Sequence, residues 1–250
     1  MSPYILEAQG LVKQFGGHFA VGGVDLRVTR GHIHALIGPN GAGKTTVFNL
    51  LTKFLQPTAG TISYQQRDIT HLRPAEVARQ GMVRSFQISA VFPHLTVLDN
   101  LRLALQRKLG TALHFWRNQR GLDILNERAA ALIASVGLSD YTHSMAADLS
   151  YGRRRALEIA TTLSLEPEML LLDEPMAGLG REDIGTVSNL IRKVGERHTV
   201  LMVEHNLSVV EALSDRITVM ARGKVLAEGS YAEVSKNPEV RTAYMGSSHA

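Results

Sequence analysis

Nine consecutive residues, GPNGAGKTT from Gly38 to Thr46, set Gly38, Gly43, Lys44 and Thr45 at the spacing G-x-x-x-x-G-K-[ST]. These residue types in this order suit the holding of phosphate. Glycines at Gly38, Gly41 and Gly43, with Asn40 among them, let backbone N–H groups curl around phosphate oxygens, and a helix opening at the loop's end adds its positive dipole end. Lys44 reaches the terminal phosphates, the Thr45 hydroxyl suits Mg²⁺, and Thr46 completes the stretch.

Farther along, MLLLDEP runs four apolar residues into Asp173 and Glu174. A buried strand ending in two carboxylates is a fitting partner for such a loop. Asp173 can hold Mg²⁺ through its water shell, and Glu174 can polarise an attacking water, a base role that supplies about 10²- to 10⁴-fold. His205, in VEH at the end of the next apolar run, can contact the terminal phosphate. His32 and His34 alternate along a strand with no third ligand at metal spacing, and read as structural.

The stretch LSYGRRRALEIA poses a question of charge. Ser150 reads as an N-cap, yet Arg153, Arg154 and Arg155 follow it where the helix dipole favours acids. Each such cation costs a few tenths to ~1 kcal/mol unless an anion answers it. Either the helix begins elsewhere or something negative docks there, while Glu158 stands at helical spacing from Arg154 and Arg155.

The elements that must position these residues are legible as alternation. Short β-rich runs, HIHALIG, MLLLDE and TVLMVEH, are each followed by helical patterns, which indicates a mainly parallel, helix-covered sheet. Val47, Leu50, Leu51, Phe54 and Leu55 fall at helical spacing after Lys44, with Pro57 as the stop, and Ile184, Val187, Leu190, Ile191 and Val194 repeat the pattern. Between about residues 87 and 165 the character shifts to long helical stretches, LTVLDNLRLALQRKL and NERAAALIASVGL, with Trp116 in the loop between them. The expected division is a sheet core over 1–86 and 166–250, carrying an inserted helical subdomain over 87–165. Antiparallel strands are expected in the first ~30 residues and in ITVMARGKVLAEG, where an Arg-Gly turn joins two short runs.

Composition narrows the class. The 250 residues include no cysteine, which removes disulfides, thiolate catalysis and cysteine-bound zinc. No apolar run reaches about 20 residues and the N-terminus shows no export signal, so any membrane role is expected to be peripheral. A net charge of +4 mildly favours anionic partners.

With GPNGAGKTT, LSYGRRR, LLLDE and His205 in this order, the chain resembles the nucleotide-binding subunits of ABC transporters over almost its whole length. FGGHFAVGGVDL, RSFQISAVFPHLTVLDNL, EHNLSVVEALSDRI and NPEVRTAYMG are similar to the ATPases of branched-chain, or hydrophobic, amino acid importers. The resemblance implies an α/β fold, a P-loop NTPase core of mainly parallel sheet with an antiparallel β subdomain and an inserted helical subdomain. It implies ATP and Mg²⁺, and a head-to-tail dimer with a second ATP-binding subunit in which Ser150 and Gly152 face the nucleotide on the other subunit's Lys44. Phe15 is then the aromatic that stacks on adenine. Gln87 joins the metal and hydrolytic groups and links them to the membrane partner. Two membrane permease subunits and an extracytoplasmic solute-binding protein complete the implied system, with this chain peripheral on the cytoplasmic face of the inner membrane.

Two positions depart from the family's pattern: Arg153 stands where glutamine is usual in the signature, and Gly180 where aspartate or asparagine is usual. An export-type cassette, such as one for lipopolysaccharide, stays open as an alternative. A soluble nucleic-acid-associated cassette fits less well, because a single copy with roughly 100 residues between loop and signature has no room for the long coiled coil of chromosome-type relatives. No nucleic-acid partner is therefore expected. A base-reading Asn-Lys-x-Asp and a protein-kinase catalytic loop are both absent from the sequence.

Overall fold

The computed structural model describes residues 2–85, 91–108 and 119–245. In chain order the strands are β1 (Tyr4–Phe15), β2 (His18–Thr29), β3 (Ile33–Ile37), β4 (Ala59–Tyr64), β5 (Arg67–Asp68), β6 (Met82–Arg84), β7 (Met169–Asp173), β8 (Thr199–Val203), β9 (Arg216–Ala221) and β10 (Lys224–Gly229). The helices are α1 (Lys44–Leu51), α2 (Pro74–Arg79), α3 (Val97–Lys108), α4 (Gln119–Ser135), α5 (Tyr151–Leu163), α6 (Arg181–Gly195), α7 (Leu207–Leu213), α8 (Tyr231–Val234) and α9 (Pro238–Met245). The chain divides into two compact units. One holds Met1–Arg84, Glu168–Pro175 and Arg192–Ala250; the other holds Ser85–Pro167 and Met176–Ile191. The segment 176–191 groups with the helices of the second unit.

In the first unit a six-stranded sheet runs β10-β9-β3-β8-β7-β6. β9, β3, β8, β7 and β6 run parallel to one another, and β10 pairs antiparallel with β9. Every residue of β3, β7 and β8 is buried, which is why these strands read as unbroken apolar runs rather than alternating ones. A four-stranded antiparallel sheet, β2-β1-β4-β5, carries the alternating N-terminal pattern. Leu6, Leu26 and Ile62 of this sheet join Leu36, Val47, Phe48 and Leu171 in one apolar core. Arg222 and Gly223, both at positive φ (49° and 75°), make the tight turn expected between β9 and β10.

The helix after the phosphate loop ends earlier than its apolar spacing predicts. α1 stops at Leu51, and Lys53 adopts a left-handed φ of 64° while its N–H donates to Leu50 O at 3.2 Å. A left-handed residue closes a helix before any proline is reached, so Pro57 is not the stop and Phe54 lies 51% exposed.

In the second unit α3, α4 and α5 pack together. Leu101 and Leu105 on α3, Leu125, Ala129 and Ile133 on α4, and Leu157 on α5 are buried, a spacing of one face per helix. Asn100 clamps the approach to α3: its Oδ1 accepts from Phe92 N at 2.7 Å, and its Nδ2 donates to Thr96 O at 2.9 Å.

His34, fully buried in β3, places Nε2 2.8 Å from the Thr218 hydroxyl. Burial, then the charge of Arg216, then His32, push its pKa down to about 3 from an ordinary 6.5. The folded state therefore resists a proton that the unfolded chain accepts, and stability is full above pH 6.5 and drains as pH falls toward 3. Between pH 7 and pH 5 this residue is expected to remove about 2 kcal/mol, read by urea denaturation. The loss should be largely absent in His34→Leu; equal pH slopes in the two proteins would exonerate His34.

Candidate functional site

The phosphate loop leaves the C-terminal edge of β3, the edge at which the parallel strands β7 and β8 also end. That edge is where open α/β sheets bind ligands. Two of the loop's glycines are required by close backbone approach. A Cβ at Gly38 would lie 2.2 Å from Met220 O, and one at Gly43 would lie 2.7 Å from Ala20 O. Gly43 also caps α1 in a left-handed conformation, with φ 96°. The loop is held from outside as well, since Gly223 N donates to Ala42 O at 3.0 Å. Asn40, Gly41 and Thr45 are exposed along it and Thr46 is half-buried.

Lys44 is 8% exposed, and its Nζ donates to Gly38 O at 2.7 Å and Pro39 O at 3.0 Å. The ammonium therefore spans the loop's entry. Burial lowers its pKa, and the charge of Glu174 opposes that shift, so the lysine and the candidate base sense one another electrostatically. Glu174 follows β7 with a left-handed φ of 46°, its N–H donating to Val203 O at 2.9 Å. A glutamate held in that region costs about 1–2 kcal/mol, strain of the kind found at sites of function.

Asp173, 4% exposed, pairs with Arg84 at the end of β6, Nη2 to Oδ2 at 2.5 Å. His205 is exposed after β8, and the fully buried Glu204 accepts from the backbone N–H of His205 at 2.9 Å and of Asn206 at 3.1 Å. Phe15, at the end of β1, is 47% exposed and has Lys13 Nζ 5.1 Å from its ring centroid. The structure thus brings Lys44, Thr45, Asp173 and Glu174 to one sheet edge, with His205 on the neighbouring strand end. Gln87 and Trp116 lie outside the described residues.

The residues present fit Mg²⁺. The donors at hand are a hydroxyl, Thr45, and a carboxylate, Asp173, the oxygen set such an ion takes. Among the described residues no group of three His, Cys, Asp or Glu could hold a metal alone.

The signature lies in the second unit. Ser150 caps α5, its Oγ accepting from Arg153 N at 3.4 Å, so the helix does begin at Tyr151. Within the chain the three arginines take different partners, and among the described residues only Arg155 meets an anion. Arg153 stacks 4.2 Å from the Tyr141 centroid, Arg154 donates to Ala147 O at 3.0 Å, and Arg155 pairs with Glu158 at 2.8 Å. Arg154 therefore takes a carbonyl rather than Glu158. Gly152 is buried against Asp183 of α6: a Cβ there would lie 2.3 Å from Asp183 Oδ1. The Tyr151 ring covers Gly178, 3.4 Å from where its Cβ would stand. Gly180 is exposed, and a Cβ there would meet nothing within 4 Å, so its backbone does not demand glycine.

Sequence reasoning passed over Arg84, Glu204 and Asp183. Glu204 carried a signal, a carboxylate abutting a candidate histidine at a strand end. Arg84 and Asp183 carried none, because their partners are distant in the chain.

Compared with known proteins, residues 21–177 match the family described as "ABC transporter", and residues 224–250 match "Branched-chain amino acid ATP-binding cassette transporter". The LivG protein of Salmonella typhimurium, named a high-affinity branched-chain amino acid transport ATP-binding protein, is 41% identical over 98% of this chain and 99% of its own. BraF of Pseudomonas aeruginosa, named likewise, is 41% identical over 98% of this chain and 99% of its own. Among solved structures, an ATP-binding cassette of an ABC transporter in its ADP conformation superposes with a TM-score of 0.86 at 30% identity, covering 98% of this chain and 100% of that one.

Proposed function

Because the chain belongs to the ABC transporter family of ATP-binding subunits, we propose that it hydrolyses ATP to energise an importer of branched-chain amino acids or related small carboxylates. The observation that carries the ATPase reading is the convergence of Lys44, Thr45, Asp173 and Glu174 at one edge of the parallel sheet. The names and near-complete coverage of the LivG and BraF relatives support the cargo.

In this reading the loop's N–H groups and Lys44 bind and orient the triphosphate, and Phe15 offers its ring to the base. Thr45 and Asp173, with Gln87, would hold Mg²⁺. When bound, the ion neutralises charge developing on the phosphate oxygens. Glu174 accepts a proton from the attacking water, and His205, its loop secured by Glu204, contacts the terminal phosphate. Ser150 and Gly152 serve the nucleotide of a second ATP-binding subunit, like or unlike this one.

The rest of the proposal concerns partners. Among the described residues no helix is long and apolar enough to cross a membrane, and in this reading permease subunits carry the substrate across. Phe92 and Met145 of the helical unit, 57% and 46% exposed, stand on segments bonded through Ala146 N to Leu95 O at 2.9 Å and offer an apolar contact for them. We place the chain on the cytoplasmic face of the inner membrane, with the solute-binding protein outside and no nucleic acid involved.

Isolating the tagged chain with its native membrane proteins should recover two permease subunits and, on addition, the solute-binding protein. Leucine, isoleucine or valine should then raise the melting temperature of that binding protein in a ligand screen. Recovery of lipopolysaccharide-export components instead, or a binding protein that ignores amino acids, would replace the importer reading.

A further inference from the structure

We infer that Arg84 is a positioning residue that fixes the carboxylate of Asp173 toward the metal, an inference that rests on the ATPase reading above. Three elements of the first unit meet at its guanidinium. From β6 it sends Nη2 to Asp173 Oδ2 of β7 at 2.5 Å and Nη1 to Asn49 Oδ1 of α1 at 2.6 Å. Its Cζ lies 5.0 Å from the Phe48 ring centroid and 5.3 Å from that of Phe54. The Arg84 and Asp173 side chains are 11% and 3% exposed.

A carboxylate so buried needs a countercharge, and a mobile one would let it turn. Here the countercharge is fixed. The anchors on Asn49, Phe48 and Phe54 hold the guanidinium plane, and its bond to Oδ2 would hold the Asp173 carboxylate in one orientation for the ion. Because Asn49 rides on the helix that opens at Lys44, the same bridge keeps Asp173 in step with the phosphate loop. Arg84 acts through Asp173. Lysine could supply the charge but cannot bridge Asn49 and Asp173 with a rigid plane.

The test uses the purified full chain, with Mn²⁺ as the probe ion read by electron paramagnetic resonance beside a non-hydrolysable ATP analogue. Metal-free binding of the analogue is measured in parallel. In Arg84→Gln the Mn²⁺ affinity should fall about 10- to 100-fold, while metal-free analogue binding stays within about twofold. Arg84→Lys should stay closer to the glutamine variant than to the parent. Asn49→Leu, which keeps Arg84 but removes its anchor, should lose Mn²⁺ affinity in the same direction and carries the test if Arg84→Gln does not fold. Unchanged or tighter Mn²⁺ binding in Arg84→Gln or Asn49→Leu overturns the inference, as does full recovery by lysine, which would reduce Arg84 to a charge. So does equal loss of metal-free analogue binding, which marks general damage. A parent chain that binds no Mn²⁺ beside the analogue defeats the ATPase reading itself.

Discussion

Replacing Glu174 by glutamine is expected to slow ATP hydrolysis by about 10²- to 10⁴-fold while ATP still binds, so that nucleotide-bound dimers accumulate. The substitution is nearly isosteric. The left-handed backbone and its bond to Val203 O therefore persist, and the proton acceptor is lost. One side effect is built in, because the Glu174 charge supports protonation of Lys44 against burial. With bound triphosphate supplying negative charge instead, Lys44 stays an ammonium and affinity is retained. Light scattering under saturating ATP checks the outcome: a variant that stays monomeric, or one that turns over at the parent rate, removes Glu174 from the role of base.

Lys44→Ala is expected to weaken ATP binding about 100-fold or more, the equivalent of roughly 3 kcal/mol of charge-assisted bonds. Two losses combine. The phosphates lose their cation, and the carbonyls of Gly38 and Pro39 lose the ammonium that spans the loop. Titration calorimetry measures the affinity, and circular dichroism verifies the fold. Unchanged affinity would sink the phosphate-loop reading.

How much of this could be read in advance depended on distance along the chain. The phosphate loop was legible because its glycines answer a local backbone demand, and Gly38 and Gly43 do stand where a Cβ would strike carbonyl oxygens. The parallel strands were legible because burial on both faces writes an unbroken apolar run. The end of α1 was not, since Lys53 adopts a glycine-like φ that its residue type does not announce. The arginines of the signature looked unanswered because Tyr141 and Ala147 lie before the helix, outside any helical spacing rule. Arg84 was invisible for the same reason. A lone arginine at the end of a three-residue strand has no motif, and its partners come from α1 and β7.

The contact between Gly152 and Asp183 changes how mutational scans of the signature are to be read. Both residues belong to one subunit, and the space a side chain would need at 152 is already taken by a carboxylate from α6. A bulkier residue there injures the solitary subunit before any second copy arrives. Failure of such a variant to pair therefore conflates two injuries, and shortening Asp183 at the same time, which vacates the space, is the way to pull them apart.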